Sequence, residues 1–228
     1  MMRRNIALIP AAGVGARFGA GKPKQYVEIN GKTVLQHTIE IFEQHPRIDL
    51  IAVILSPEDS VFQTALSEKV RVFRVGGASR AETVRNGVST LLEQGLAEAQ
   101  DNILVHDAAR CCLPVEALTR LLDEAGENDE GGILAILVAD TLKRADGSHH
   151  IDETVARAGL WQAQTPQLFQ TALLNRALSV DDLSEITDEA SAVEKLGIRP
   201  RLVQGDTRNL KLTLPQDEYI VRLLLKAV

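Results

Sequence analysis

The stretch "NIALIPAAGVGARFGAGKPKQY", residues 5–26, joins a short apolar run to a loop that carries four glycines, Arg17, Lys22 and Lys24. A buried strand that opens into a cationic, small-residue loop is the first unit of a βαβ fold with an anion site at the strand end. The loop fits neither standard phosphate pattern. The dinucleotide fingerprint G-x-G-x-x-G is met at Gly13 and Gly15 and fails at Phe18. The P-loop G-x-x-x-x-G-K-[ST] is met at Gly21 and Lys22 and fails at Ala16 and Pro23. The physics survives both failures. Small residues let main-chain N–H groups close on an anion, Arg17 adds a planar fork, and Lys22 and Lys24 add compact charges. The alternative, a glycine-rich surface loop, leaves the cations at a strand end unexplained.

Outward from this unit the pattern repeats. "LIAVILS", "VRVFRV", "NILVHD" and "GGILAILV" read as buried strands, and "TVLQHTIEIFEQH", "SRAETVRNGVSTLLEQG" and "PVEALTRLLDEAG" space apolar residues as helices do. Ser79 and Pro114 suit helix starts, Gly95 and Gly126 helix stops. The alternation predicts an α/β protein: a single Rossmann-like three-layer domain over residues 1–228 with a mostly parallel sheet. Ligands of such sheets sit at the carboxyl ends of the strands, where the opening loop, "GGASRAE", "HDAARCC" and "ADTLKR" fall. Residues 139–160 break the helical period around the turn "ADGSHH" and predict a polar, protruding β-hairpin arm, whose simplest partner is a second copy of the chain. After Pro166 helical patterns resume, followed by "RPRLVQG", "NLKLT" and a last helix from Pro215.

The net charge of −6 argues against a non-specific nucleic-acid binder, yet residues 1–32 hold six Lys and Arg against Glu28 alone, a local anion site in an acidic protein. No apolar run is long enough for a bilayer, the N-terminal apolar stretch reads as a strand rather than a signal peptide, and two adjacent cysteines suit a reducing cytoplasm. His37 and His45 read as surface or rim, His149 and His150 as a hairpin tip, His106 as structural, and Trp161 as core or dimer interface.

"PAAGVGARFGAGKPKQY", "HDAARCCL", "ADTLKRA", "LWQAQTPQLF", "ITDEASAVE" and "NLKLT", in this order from first strand to last helix, resemble the 2-C-methyl-D-erythritol 4-phosphate cytidylyltransferases of the non-mevalonate isoprenoid pathway. The resemblance implies CTP and a polyol phosphate as substrates, Mg2+ as cofactor, pyrophosphate release, and a homodimer built through the hairpin arm, with no nucleic acid or membrane partner. It implies that Arg17 and Lys24 stabilise the transition state, with Lys22 ranked below them, and that Arg157 and Lys211 hold the sugar phosphate. Arg110, Thr141, Thr165 and Thr187 are the implied supporting contacts. Ala11, Ala12, Gly13, Gly15, Gly77, Ala78, Thr83, Asp107 and Ala108 are the implied nucleotide set, with Asp107 on the metal or the ribose. Three positions depart from the family: Ala78 stands where an acid is common, Thr83 where a serine is, and Cys111 where a proline follows "HDAAR". A ribitol 5-phosphate cytidylyltransferase is the nearest alternative. A sugar-nucleotide pyrophosphorylase is more remote, and a non-catalytic nucleotide module leaves the cations without a purpose.

Overall fold

Asn5–Pro10 form the strand that the opening stretch predicts (β1), buried along nearly its whole length. The computed structural model describes residues 3–13, 23–63 and 67–226; Gly15, Arg17 and Lys22 lie outside them. After a 3-10 turn at Lys24–Tyr26, the chain forms β2 (Glu28–Ile29), β3 (Lys32–Thr33), α1 (Val34–Gln44), β4 (Leu50–Ile54), β5 (Val70–Phe73), α2 (Arg80–Glu93) and β6 (Asn102–Val105). The second half adds α3 (Val115–Ala125), β7 (Gly132–Leu137), β8 (Leu142–Ala145), β9 (Ile151–Val155), β10 (Trp161–Gln170), α4 (Thr171–Leu178), α5 (Glu189–Glu194), β11 (Arg201–Gln204) and α6 (Asp217–Leu224).

The seven-stranded sheet has the order β11-β7-β10-β6-β1-β4-β5. All neighbours are parallel except those of β10, which runs against both β6 and β7. Alternate residues of β1 explain the layers. Ala7 and Ile9 face a core shared with α1 and α3, while Ile6 and Leu8 face one shared with α2, α4 and α5. This is the predicted three-layer arrangement. The predicted helix starts hold: the Ser79 hydroxyl accepts the Glu82 N–H at α2, Pro114 precedes α3, and Gly126 ends it. The chain lays β4 and β5 on one side of β1 and then returns to put β6 on the other, which opens a switch-point crevice at the ends of β1 and β6.

β10 differs from the sequence reading, which resumes helix directly after Pro166. Helix begins at Thr171, and "WQAQTPQLFQ" is a central strand. Its glutamines hide any alternation, and a proline argues against an interior strand. The register shifts between Ala163 and Gln167, so Pro166 sits in a bulge where the ladder needs no donor. Residues 139–160 do form an arm: β8 and β9 pair only with each other, and their residues are largely exposed.

Candidate active site

A cavity of about 440 Å3 opens at the switch point, lined by Pro10–Gly13, Lys24, Gln25, Ser56, Gly77–Arg80, Thr83, Asp107–Ala109 and Lys211. Three of the four segments expected at strand ends therefore meet here; "ADTLKR" does not line it. Ala11, Ala12, Gly13, Lys24, Gly77, Ala78, Thr83, Asp107, Ala108 and Lys211 stand together as the resemblance implies.

Main-chain bonds shape the wall where small residues gather. Gln25, which the sequence reading overlooked, is buried, and its amide donates to the carbonyls of Ala11 (2.9 Å) and Gly13 (2.8 Å). It clamps the strand exit and seats Lys24 beside the cavity. Opposite, the Thr83 hydroxyl accepts the Gly77 N–H at 3.1 Å and donates to the Ser79 carbonyl at 2.9 Å. The Ala78 N–H is taken by Glu82 at 2.8 Å. These bonds occupy several groups of the implied nucleotide set. Thr83 builds the loop instead of offering a free hydroxyl, and the N–H groups of Gly77 and Ala78 are already used. The Ala11 N–H is used as well, by Ile54. Among the described residues no partner takes the main chain of Ala12.

Asp107 is the charge centre. Its carboxylate lies 2.9 Å from Arg80 Nε, 2.8 Å from Lys211 Nζ and 3.5 Å from Arg110 Nε. Burial pushes the Asp107 carboxyl up, but Arg80, Lys211 and Arg110 overcome this and hold it well below the usual carboxylate range. The far side of Arg80 grips Glu189, at 2.6 and 3.0 Å. Glu189 opens α5 and is wholly buried, and burial pushes its carboxyl up against the pull of Arg80. Arg80 and Glu189 were not singled out from the sequence; the available signal was the arginine in "GGASRAE", at a strand end and directly after a helix cap.

Lys211 reaches Asp107 because its neighbours are pinned. Asn209 is buried and donates to the Thr165 carbonyl at 2.7 Å, and the Leu212 N–H donates to the Ala109 carbonyl at 2.9 Å. His106, read as structural, is fully buried, with Nε2 2.9 Å from the Arg110 carbonyl and Nδ1 3.0 Å from Thr165 Oγ1. Thr165 Oγ1 also accepts the Asp107 N–H at 3.1 Å. Thr165 and Arg110 thus do not line the cavity; they set Asp107 from behind, with Arg110 also donating to the Asn209 carbonyl at 2.6 Å. Thr141 and Arg157 are exposed at the base of the arm, and Thr187 is exposed two residues before Glu189; none lines this cavity. His45, read as surface or rim, is buried, with Nε2 3.1 Å from Thr119 Oγ1.

The 2-C-methyl-D-erythritol 4-phosphate cytidylyltransferase family model matches residues 5–227. A Neisseria meningitidis serogroup C protein named for that activity is 70% identical over 231 residues, covering 100% of both chains. A Chromobacterium violaceum protein of the same name is 50% identical, covering 97% of this chain and 98% of its own. A crystal structure described as 4-diphosphocytidyl-2C-methyl-D-erythritol synthase superposes with a TM-score of 0.89 at 64% identity, over 99% of this chain and 100% of that one. The Francisella tularensis 2-C-methyl-D-erythritol 4-phosphate cytidylyltransferase follows with a TM-score of 0.81 at 32% identity, over 97% and 99%. Sequence, fold and cavity agree: this chain belongs to the 2-C-methyl-D-erythritol 4-phosphate cytidylyltransferase family.

Proposed function

We propose that the chain joins CTP to 2-C-methyl-D-erythritol 4-phosphate, giving 4-diphosphocytidyl-2-C-methyl-D-erythritol and pyrophosphate. The observation that carries this reading is the cavity, where small residues line one space together with Lys24, Lys211 and Asp107. A phosphate monoester is largely a dianion at neutral pH, so its oxygen attacks the α-phosphorus without a general base. The barrier is the meeting of two anions, and the protein lowers it by alignment and by cations at the charge that builds up. The described site matches that need. Among the described residues, the one carboxylate lining the cavity is held ionised by cations, and the nearest histidine is sealed behind it. Lys24 and Arg17 serve the α-phosphate in this reading, while Lys211 and Arg157 serve the sugar phosphate.

Mg2+ fits as an ion carried by the nucleotide. Among the described residues no group of three His, Cys, Asp or Glu is arranged for a metal. Mg2+ needs only one or two carboxylates besides phosphate oxygens, and Asp107 supplies one. Held by Asp107 and the phosphate oxygens, it would neutralise triphosphate charge. The arm is proposed to bring Arg157 to the site of a second copy, and the two free thiols suit a reducing cytoplasm. No helix among the described residues is long and apolar enough to cross a membrane.

Pyrophosphate release tests the reading. CTP with 2-C-methyl-D-erythritol 4-phosphate should turn over far faster than CTP with ribitol 5-phosphate, an alternative that the relatives' names do not favour. UTP should be a poor replacement, since the Ala12 main chain offers the base fixed polar groups that the wrong base leaves unpaired. Equal kcat/KM for CTP and UTP refutes the account of the wall, and turnover with ribitol 5-phosphate alone refutes the substrate.

A further inference from the structure

The geometry points to Arg80 as the positioning residue that locks the nucleotide side of the site to the start of α5, rather than as a ligand of the triphosphate. Arg80 lines the cavity, so the simple expectation is one more phosphate-binding cation. Its donors point elsewhere. Nε goes to Asp107 at 2.9 Å, Nη1 to Glu189 Oε1 at 2.6 Å and Nη2 to Glu189 Oε2 at 3.0 Å. With Nε and both Nη atoms bonded to carboxylates, its donors are turned away from an anion in the cavity. Lys211, bonded among the described residues to Asp107 alone, is the more exposed cation of the cluster, its side chain 39% exposed against 30% for Arg80.

The elements joined are far apart in sequence. Arg80 is the first residue of α2, Asp107 follows β6, and Glu189 is the first residue of α5, directly after the Asp188 capping box and two residues beyond Thr187. Asp107 in turn holds Lys211 at 2.8 Å. A planar fork holds three carboxylate oxygens with three separate nitrogens, Nε and both Nη atoms, in one fixed geometry; an ammonium directs its three donors from a single nitrogen on a flexible stem and cannot span the same three oxygens. Without the fork, Glu189 is a buried carboxylate with no cation, and Asp107 draws more heavily on Lys211. The consequence falls on the second substrate: Lys211 and Thr187 lose their fixed separation from the nucleotide. For the identity of that substrate this inference rests on the function proposed above.

The experiment compares wild type with Arg80→Lys and Glu189→Gln, each confirmed folded by its urea midpoint. We expect both variants to lower kcat/KM for 2-C-methyl-D-erythritol 4-phosphate by about 30-fold or more, in line with the rate cost of displaced contacts. The Kd for CTP, titrated calorimetrically, should shift by less than about threefold, because no charge facing the triphosphate is lost. The double variant should be little worse than either single one, as for two members of one linkage. Arg80→Lys with wild-type kinetics overturns the inference, since the fork is then unnecessary. So does a variant pair in which only Arg80→Lys weakens CTP while Glu189→Gln matches wild type, since Arg80 is then a triphosphate ligand. Hydrogen exchange on the protein without substrates gives an independent reading. In Arg80→Lys the amides of residues 107–110 and of 188–191 should exchange faster together, and faster exchange in one segment alone also overturns it. Wild type that releases no pyrophosphate refutes the proposed function, and the exchange result still decides the role of Arg80.

Discussion

His106 makes the protein's stability depend on pH in a window that few other groups share. The ring is fully buried, its edge set against Phe42 with centroids 5.1 Å apart. The Arg110 carbonyl can only accept, so Nε2 carries the proton and donates to it. Nδ1 is then the acceptor of the Thr165 hydroxyl, whose oxygen accepts the Asp107 N–H. Every member of this chain is satisfied with a neutral imidazole. A second ring proton would point at the hydroxyl hydrogen and break it. Burial lowers the His106 pKa from its ordinary 6.5 to about 4. The sign follows. Between pH 6.5 and 4 the unfolded chain binds a proton that the folded chain refuses, so stability is full above the upper value and falls as pH drops through the window. A shift of this size corresponds to about 3 kcal/mol, a large part of the ~5–15 kcal/mol that keeps a domain folded. Urea unfolding at pH 7.5, 6.5, 5.5 and 4.5 should show a steep decline in wild type. His106→Asn should start lower, having lost the ring's packing, but decline less steeply. Asp107, whose folded pKa is depressed, does not blur the comparison: its contribution is lost only below the ordinary carboxylate range. His45 is also lowered by burial and by Arg47 and Lys69, but it is common to both proteins and cancels. Parallel curves over pH 4.5–6.5 would refute the tautomer argument.

Gly76→Ala should cost about 1–3 kcal/mol by overpacking. An added Cβ would collide with Ala12 Cβ and lie 2.7 Å from the Leu55 carbonyl, neither of which can swing away. Melting should drop by several degrees and CTP binding weaken, while Gly147→Ala, with open space around it, changes neither; unchanged melting of Gly76→Ala sinks the packing account. Lys24→Ala should depress kcat far more than it raises KM for CTP, by about 2–4 kcal/mol of transition-state stabilisation; an effect on KM alone means that it merely binds ground-state triphosphate. If Arg157 serves a second copy, co-refolded Arg17→Ala and Arg157→Ala chains should regain activity at about a quarter of all sites under random pairing. Confirmed heterodimers without recovery exclude a shared site.

The sheet was legible because β1, β4, β6 and β7 are apolar runs between helical periods, and burial on both faces writes itself as such a run, while the edge strand β5 shows a β-branched run broken by the exposed Arg71. β10 was not legible, since its pairing on both sides comes from tertiary neighbours and its proline is accommodated only by the bulge. In the site, Lys24 could be picked out because a cation among glycines at a strand end has few structural uses, whereas Asp107 and Lys211 drew their roles from the family resemblance. The roles of Thr83, Thr165 and Arg110 were harder to read. A hydroxyl or guanidinium faces substrate or protein according to contacts many residues away, such as Asn209 on Arg110 and His106 on Thr165. Arg80 and Glu189 are 109 residues apart, and neither stretch hints at the other.

The arm leaves the sheet at the carboxyl end of β7 and returns at the same end as β10, where Trp161 pairs with Leu137 and the Val138 N–H reaches the Leu160 carbonyl at 3.1 Å. Because β10 is the one strand that runs backwards, its junction with β7 is already that of two antiparallel neighbours, and such neighbours need only a tight turn between them. The whole excursion is therefore a removable cassette. A chain in which a two-residue turn replaces residues 139–159 should keep each pairing of the seven-stranded sheet, since none of those pairings involves the arm.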